Sequence, residues 1–128
     1  MLAVRGRPYY AGSLTLVDAG IGATWDLLLA GLAGIGRSLG DIEAVLLTHA
    51  HVDHSGFIPK LVHDGFNGHI YCTEGTEDVT RIILLDAARL QEEDAEYKRK
   101  RHERQGRKGP HPEVPLYTVE DAQACFPL

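Results

Sequence analysis

The sequence is short of cysteine, of long apolar runs and of internal repeats. Two cysteines, Cys72 and Cys125, in 128 residues are too few for a disulfide framework, so nothing in the chain asks for an oxidising compartment. Both read as small buried residues, because no base stands at a recognisable catalytic spacing from either. The longest apolar stretch, Leu27 to Ile35, falls far short of the roughly 20 residues that span a bilayer. Met1 to Tyr10 lacks the apolar core of a signal peptide. These absences point to a soluble, cytoplasmic chain with no membrane partner. Basic residues are also in deficit, 13 against 18 acids for a net charge of -5. What is present suits one globular domain over residues 1–128: 44% hydrophobic and 24% charged residues exclude disordered and fibrous classes. A chain of this length can bury roughly two-thirds of its unfolded surface.

The charge is unevenly placed. Lys98 to Lys108 holds seven bases (Lys98, Arg99, Lys100, Arg101, Arg104, Arg107 and Lys108) and one acid, while the remainder holds six bases and 17 acids. Such a run is either a solvated helix end and loop or a patch for a phosphate backbone.

Alternating signals run along the chain. Ser13 to Val17 is a short β-rich run that ends at the turn Asp18-Ala19-Gly20. Thr24 is placed as the cap of a helix from Trp25 to about Arg37, with Leu28, Leu32 and Ile35 inward. Ile42 to Thr48 is a near-continuous apolar run, the pattern of a strand buried on both faces. Phe57 to Asp64 reads as a short helix stopped by Gly65, and His69 to Thr73 as another strand. Glu77 and Asp78 suit the first turn of a long helix. That helix runs to about Arg104, with Val79, Ile82, Ile83, Leu90 and Tyr97 as inner positions. Gly106 to Pro115 is a Gly- and Pro-rich loop. Thr118 and Asp121 form a capping box for a last helix. Strand, helix, strand, helix, strand, helix is an α/β order.

The chemistry concentrates in Thr48-His49-Ala50-His51-Val52-Asp53-His54-Ser55-Gly56, where three of seven histidines and one aspartate fall within six residues. Imidazole and carboxylate are good ligands for zinc, manganese or iron. In extended or turning chain His49 and His51 point to the same side and can grip one ion. Asp53 and His54 follow around the turn toward a second. The run sits at the end of a buried strand, where functional groups of open α/β sheets gather. Asp18 ends an earlier strand in the same way, either as a support for a ligand histidine or as a turn residue before Gly20.

Leu46 to Gly56 resembles the signature loop of the metallo-β-lactamase fold superfamily, and Leu16-Val17-Asp18-Ala19-Gly20 resembles its preceding aspartate motif. The resemblance implies an αββα sandwich of which this chain carries the N-terminal portion. It also implies two divalent metal ions, with zinc favoured over manganese or iron. His49 and His51 would hold one ion and Asp53 and His54 the other, these last two carrying the catalytic role. Asp18 and Thr48 would support the loop from behind.

Residues 55–121 resemble the β-CASP branch of RNA-processing nucleases. The segments that carry this likeness are Gly65 to Tyr71, Leu85 to Tyr97, and Pro115 to Thr118 with Glu120-Asp121. They imply a ribonuclease that cleaves phosphodiester bonds with a metal-activated water, with RNA contacted by the Lys98–Lys108 cluster. Residues 13–54 are also similar to glyoxalase II and lactonase types, so a small-molecule ester, thioester or lactone hydrolase is the alternative. A third reading is a truncated, inactive metal-binding fragment. The later ligands of the family have no counterpart here, since His63, His69, His102 and His111 lack ligand spacing. A homo-oligomer is left open.

Overall fold

Three short apolar runs separated by helical segments can bury their strands only if each crossover packs back on the sheet. The structure, a computed structural model that describes residues 14–106, 108–109 and 113–128, has this arrangement. Strands β1 (Leu14–Val17), β2 (Ile42–Leu46) and β3 (His69–Tyr71) form a parallel sheet in the order β1-β2-β3. Helix α1 (Gly22–Gly34) crosses from β1 to β2. Helices α2 (Val52–Ser55) and α3 (Ile58–His63) cross from β2 to β3. The long helix α4 (Glu74–Gln105) follows β3, and α5 (Val119–Ala124) comes last. The α/β class expected from the sequence is observed, and Ser13, expected to open the first strand, lies outside the described residues.

The core lies on one face of the sheet. Leu16, Val45 and Ile70 stand in register across the three strands and pack with Leu32, Leu61 and Phe66. Next to them Leu47 packs with Phe57, Ile58, Leu84, Ala88, Tyr117 and Cys125. The other face differs from expectation. Val17, Leu46 and Tyr71 form one row across the sheet and are 59%, 43% and 41% exposed. β2 therefore ends two residues before Thr48, and at that end it is covered on one side only among the described residues.

Two helices also depart from the sequence reading. α1 begins three residues early, with Ile21 in the cap position. Thr24 sits inside the first turn, where its hydroxyl donates to the Ile21 carbonyl (2.9 Å) and accepts from the Ile21 amide (3.3 Å). The helix stops at Gly34, so Leu32 is buried while Ile35 is exposed. α4 starts at Glu74, capped by Thr73, whose hydroxyl accepts from the Thr76 amide at 3.3 Å. That cap takes Thr73 out of the expected third strand.

The inner face of α4 is Thr80, Leu84 and Ala88, an i, i+4, i+8 row, with Ala95 on the same face two turns further on. Val79, Ile82, Leu90 and Tyr97, expected inside, are 47%, 70%, 59% and 65% exposed, and Ile83 is half-buried. Close approach to α2 and α5 favours the small side chains of Ala88 and Ala95 over the bulkier ones. Gly106 ends α4 in the left-handed conformation (φ 60°), as a glycine cap does. α5 opens with the expected capping box: Asp121 accepts from the Thr118 amide (2.8 Å) and Thr118 Oγ1 accepts from the Asp121 amide (3.1 Å). No helix among the described residues is long and apolar enough to cross a membrane.

Candidate metal centre

Parallel strands expose their last carbonyls at a common edge, and the chain leaves β1 and β2 there. The Asp18 amide donates to the Leu46 carbonyl at 3.0 Å, which brings the ends of the two strands together. Asp18 is left-handed (φ 57°), a conformation that aspartate tolerates better than most residues. This turn aims its carboxylate across the edge at the loop after β2. Asp18 Oδ1 accepts from the Thr48 amide at 2.8 Å, and the Thr48 hydroxyl lies 3.0 and 2.9 Å from Oδ1 and Oδ2. Asp18 Oδ2 is 2.8 Å from His54 Nδ1. One carboxylate thus ties down both ends of the histidine loop.

The same network sets the imidazole orientations. With the Thr48 hydroxyl donating to Asp18, its oxygen accepts from His49 Nδ1 at 2.9 Å. Nδ1 of His49 and of His54 are then both donors, so in the neutral ring Nε2 is the nitrogen that carries the lone pair. The backbone adds further ties: the Ala19 amide donates to the His54 carbonyl at 2.8 Å. Buried Ser55 places its hydroxyl 3.0 Å from the Ala50 carbonyl and 3.1 Å from that of His51. Gly56 follows, where an added Cβ would lie 2.4 Å from the Val52 carbonyl oxygen. Only glycine permits so tight a return into α3.

The four expected ligands gather at this mouth. The rings of His49 and His54 are 3.9 Å apart between centroids, and those of His49 and His51 are 4.8 Å apart, edge to face. His54 Nε2 is 3.5 Å from Asp53 Oδ2. His51 and Asp53 are exposed, and His49 and His54 are half-buried. Burial by itself would raise the Asp18 carboxyl, but the bonds from His54 and Thr48 outweigh it and hold the group below its ordinary range. The bond to Asp18 raises the His54 imidazole, with the Asp53 carboxylate adding to it and burial opposing.

The donor types at this mouth suit a divalent metal. Three imidazoles and a carboxylate converge on one mouth, and Asp18 stands behind His54 in the carboxylate–histidine arrangement that supports metal ligands. Their placement is incomplete as a site: among the described residues no three His, Cys, Asp or Glu side chains stand in a group that could hold a metal ion.

The remaining candidates lie elsewhere. His63 Nδ1 is 3.1 Å from Asp121 Oδ1, His69 Nδ1 is 3.4 Å from the Leu128 carbonyl, and His102 pairs with Glu113. His111 is outside the described residues. Burial pushes the Cys125 thiol up to about 12, and burial followed by the Glu77 charge raises Cys72.

The basic cluster is not at the mouth. α4 leaves the same sheet edge and runs for 32 residues, about 48 Å at 1.5 Å per residue, and the bases occupy its far end. Lys98, Arg99, Lys100, Arg101, Arg104 and Lys108 are exposed there, and Arg107 lies outside the described residues. Lys98 pairs with Asp94 (2.6 Å) and Lys100 with Glu96 (2.5 Å).

The supporting role of Ser55 was missed in the sequence. A serine four residues after His51 and closing a one-turn helix is the local signal that marks it.

Comparison with known proteins places the chain in a family. The family model described as the metallo-beta-lactamase superfamily matches residues 9–124. The chain belongs to that superfamily. Its members generally bind divalent metals, usually zinc. The chain is 34% identical over 88 residues to the transcription termination factor FttA of Methanocaldococcus jannaschii, covering 69% of this chain and 11% of that protein. It is 49% identical over 49 residues to FttA of Methanothermobacter thermautotrophicus, 38% of this chain and 8% of the other. It is 45% identical over 53 residues to ribonuclease TTHA0252 of Thermus thermophilus, 41% of this chain and 12% of the other. The matched segment therefore spans about a tenth of these relatives. The names, a ribonuclease and transcription termination factors, agree at the level of the family with the expected resemblance to RNA-processing nucleases.

Proposed function

We propose that this chain carries the metal-ligating loop of an RNA-cleaving, metal-dependent hydrolase. One observation carries the reading: Asp18 holds Thr48 and His54 together so that His49, His51, Asp53 and His54 share one exposed mouth. His49 and His51 hold one divalent ion, and Asp53 and His54 hold a second. A divalent ion bound there supplies Lewis-acid chemistry, lowering the pKa of water and stabilising charge on phosphate oxygens. Asp18 keeps the proton on His54 Nδ1 and so keeps Nε2 as the donor atom, and Thr48 does the same for His49. Similarity to proteins named for ribonuclease activity and transcription termination supports RNA as the substrate class. The bases at the end of α4 contact its phosphate backbone without sequence preference.

The test is metal content followed by cleavage. The chain dialysed against zinc or manganese should retain the ion, and His51→Ala should lose it. A His51→Ala chain that holds as much zinc as the parent overturns the ligand assignment. RNA cleavage that persists at parental rate in the same variant overturns the functional reading.

A further inference from the structure

The far end of helix α4 carries an aromatic ring that neither the core nor the metal mouth uses. Tyr97 is 65% exposed, and its neighbours three, four and seven residues on are Lys100, Arg101 and Arg104. All three are exposed, and at 100° per residue they lie within about 60° of Tyr97 around the helix. Glu103, the one acid beyond Tyr97 in the helix, is turned about 120° away. Glu93 and Asp94 stand one turn toward the body, where Asp94 pairs with Lys98, and Lys100 pairs with Glu96. Arg101 and Arg104 form no ion pair among the described residues. The ring is therefore followed on its own face by two guanidiniums that no carboxylate neutralises.

Chemistry selects the occupant. Cations are favoured in the last turn of a helix, which accounts for Arg104 but not for the unbroken run of bases from Lys98 to Arg101. That run points around the whole circumference, so this end of α4 has no apolar face to lay in a bilayer. A polyanion that also offers flat rings meets both the guanidiniums and the phenol. Single-stranded RNA does so: its phosphates attract the bases of the helix, and its unpaired rings stack on aromatic side chains. In a duplex those rings are stacked on one another, and contact is left to the backbone.

We propose that Tyr97 is a base-stacking residue: one unpaired base of an RNA strand lies on its ring, and the flanking phosphates lie on Arg101 and Arg104. The inference rests on RNA as the substrate class, and to the backbone contacts it adds a preference for unpaired strands. Tyr97 lies 23 residues beyond Glu74 in α4, about 35 Å along the helix. The strand is thus gripped well away from the histidine loop, and its binding is separable from metal.

Fluorescence anisotropy of a labelled, unstructured RNA with the full chain in EDTA tests it without metal or cleavage. Tyr97→Ala should weaken binding about tenfold and leave the log–log salt slope at the parental value, because no charge is removed. Arg101→Gln should instead lower that slope by about 0.7. Tyr97→Phe, which keeps the ring, should bind like the parent, and Tyr97→Leu, apolar without a ring, should bind like Tyr97→Ala. Duplex RNA should not distinguish the three Tyr97 variants. Parental affinity in Tyr97→Ala overturns the stacking site and leaves the proposed function standing. So does equal rescue by Tyr97→Leu and Tyr97→Phe, or an equal loss on duplex RNA. A parent chain that binds no RNA overturns the RNA reading as well, and tighter binding to phosphatidylserine vesicles than to RNA overturns the site in favour of a membrane.

Discussion

The loop after β2 is held by contacts between residues 30 and 36 apart in sequence, from Asp18 to Thr48 and to His54. At the far end of α4 the lysine ion pairs join residues four apart, Asp94 to Lys98 and Glu96 to Lys100, and His102 pairs with Glu113 eleven residues on. Both regions carry residues that the proposed function uses. In the first, one side chain answers for the position of several others, so its removal is felt throughout the loop. In the second, the paired lysines are set by their own turn of helix, and such exposed pairs contribute little individually. A site that must hold an ion to a fraction of an ångström needs the first kind of construction, whereas a surface that attracts a flexible polyanion works with the second.

The comparison can be broken most directly through stability. Leu84, buried where α4 packs on the body, should cost about 2–5 kcal/mol when replaced by alanine. Arg99→Ala in the distal turns should stay within about 0.5 kcal/mol. Equal losses in urea unfolding would mean that the far end is packed after all.

Next in size is Asp18→Ala. Zinc affinity measured by calorimetry should fall about 10–100-fold although no ligand is touched; unchanged affinity would show that the loop holds itself. A third measurement sharpens the other side. Changing Arg99, Arg101 and Arg104 together to Gln should weaken single-stranded RNA binding alike for all sequences. It should also reduce the log–log salt slope by about 2. Sequence-dependent losses would point to base contacts instead.

The smallest effect expected is in acid. The Thr118 amide holds the Asp121 carboxyl below its ordinary range, with burial opposing and His63 adding to the lowering. A depressed folded value means that this stabilisation is present above the unfolded carboxyl value near 3.9. It is lost as pH falls through the folded one. Asp121→Asn should therefore make stability fall less steeply below about pH 4. Glu96 is also lowered, chiefly by the bond from Lys100. It lies on the solvated end of α4, so Glu96→Gln should leave the acid limb unchanged.

The candidate ligands were legible because metal chemistry needs particular side chains at close spacing, and His49 to His54 supplies them within one turn. The α5 capping box was legible for a similar reason: Thr118 and Asp121 act on each other within three residues. The inner face of α4 was not. Val79, Ile82, Leu90 and Tyr97 are more apolar than Thr80 and Ala88, yet the helix turns its smaller residues inward to approach α2 and α5. Hydrophobicity ranks residues one at a time, whereas packing depends on the distance between two elements. The covering of β2 failed for a related reason, since an apolar run shows that a strand tolerates burial and not that both faces find a neighbour.

By itself, then, the sequence determined the α/β order, the clustering of the candidate ligands His49, His51, Asp53 and His54, and the separation of a basic segment from an acidic body. These follow from local spacing and side-chain chemistry. Tertiary structure alone decided that Asp18 reaches Thr48 and His54, that α4 buries Leu84 and leaves Leu90 outside, and that the bases stand far from the histidines. Each of these depends on where a parallel sheet and a 32-residue helix place groups remote in sequence, and no local pattern encodes that placement.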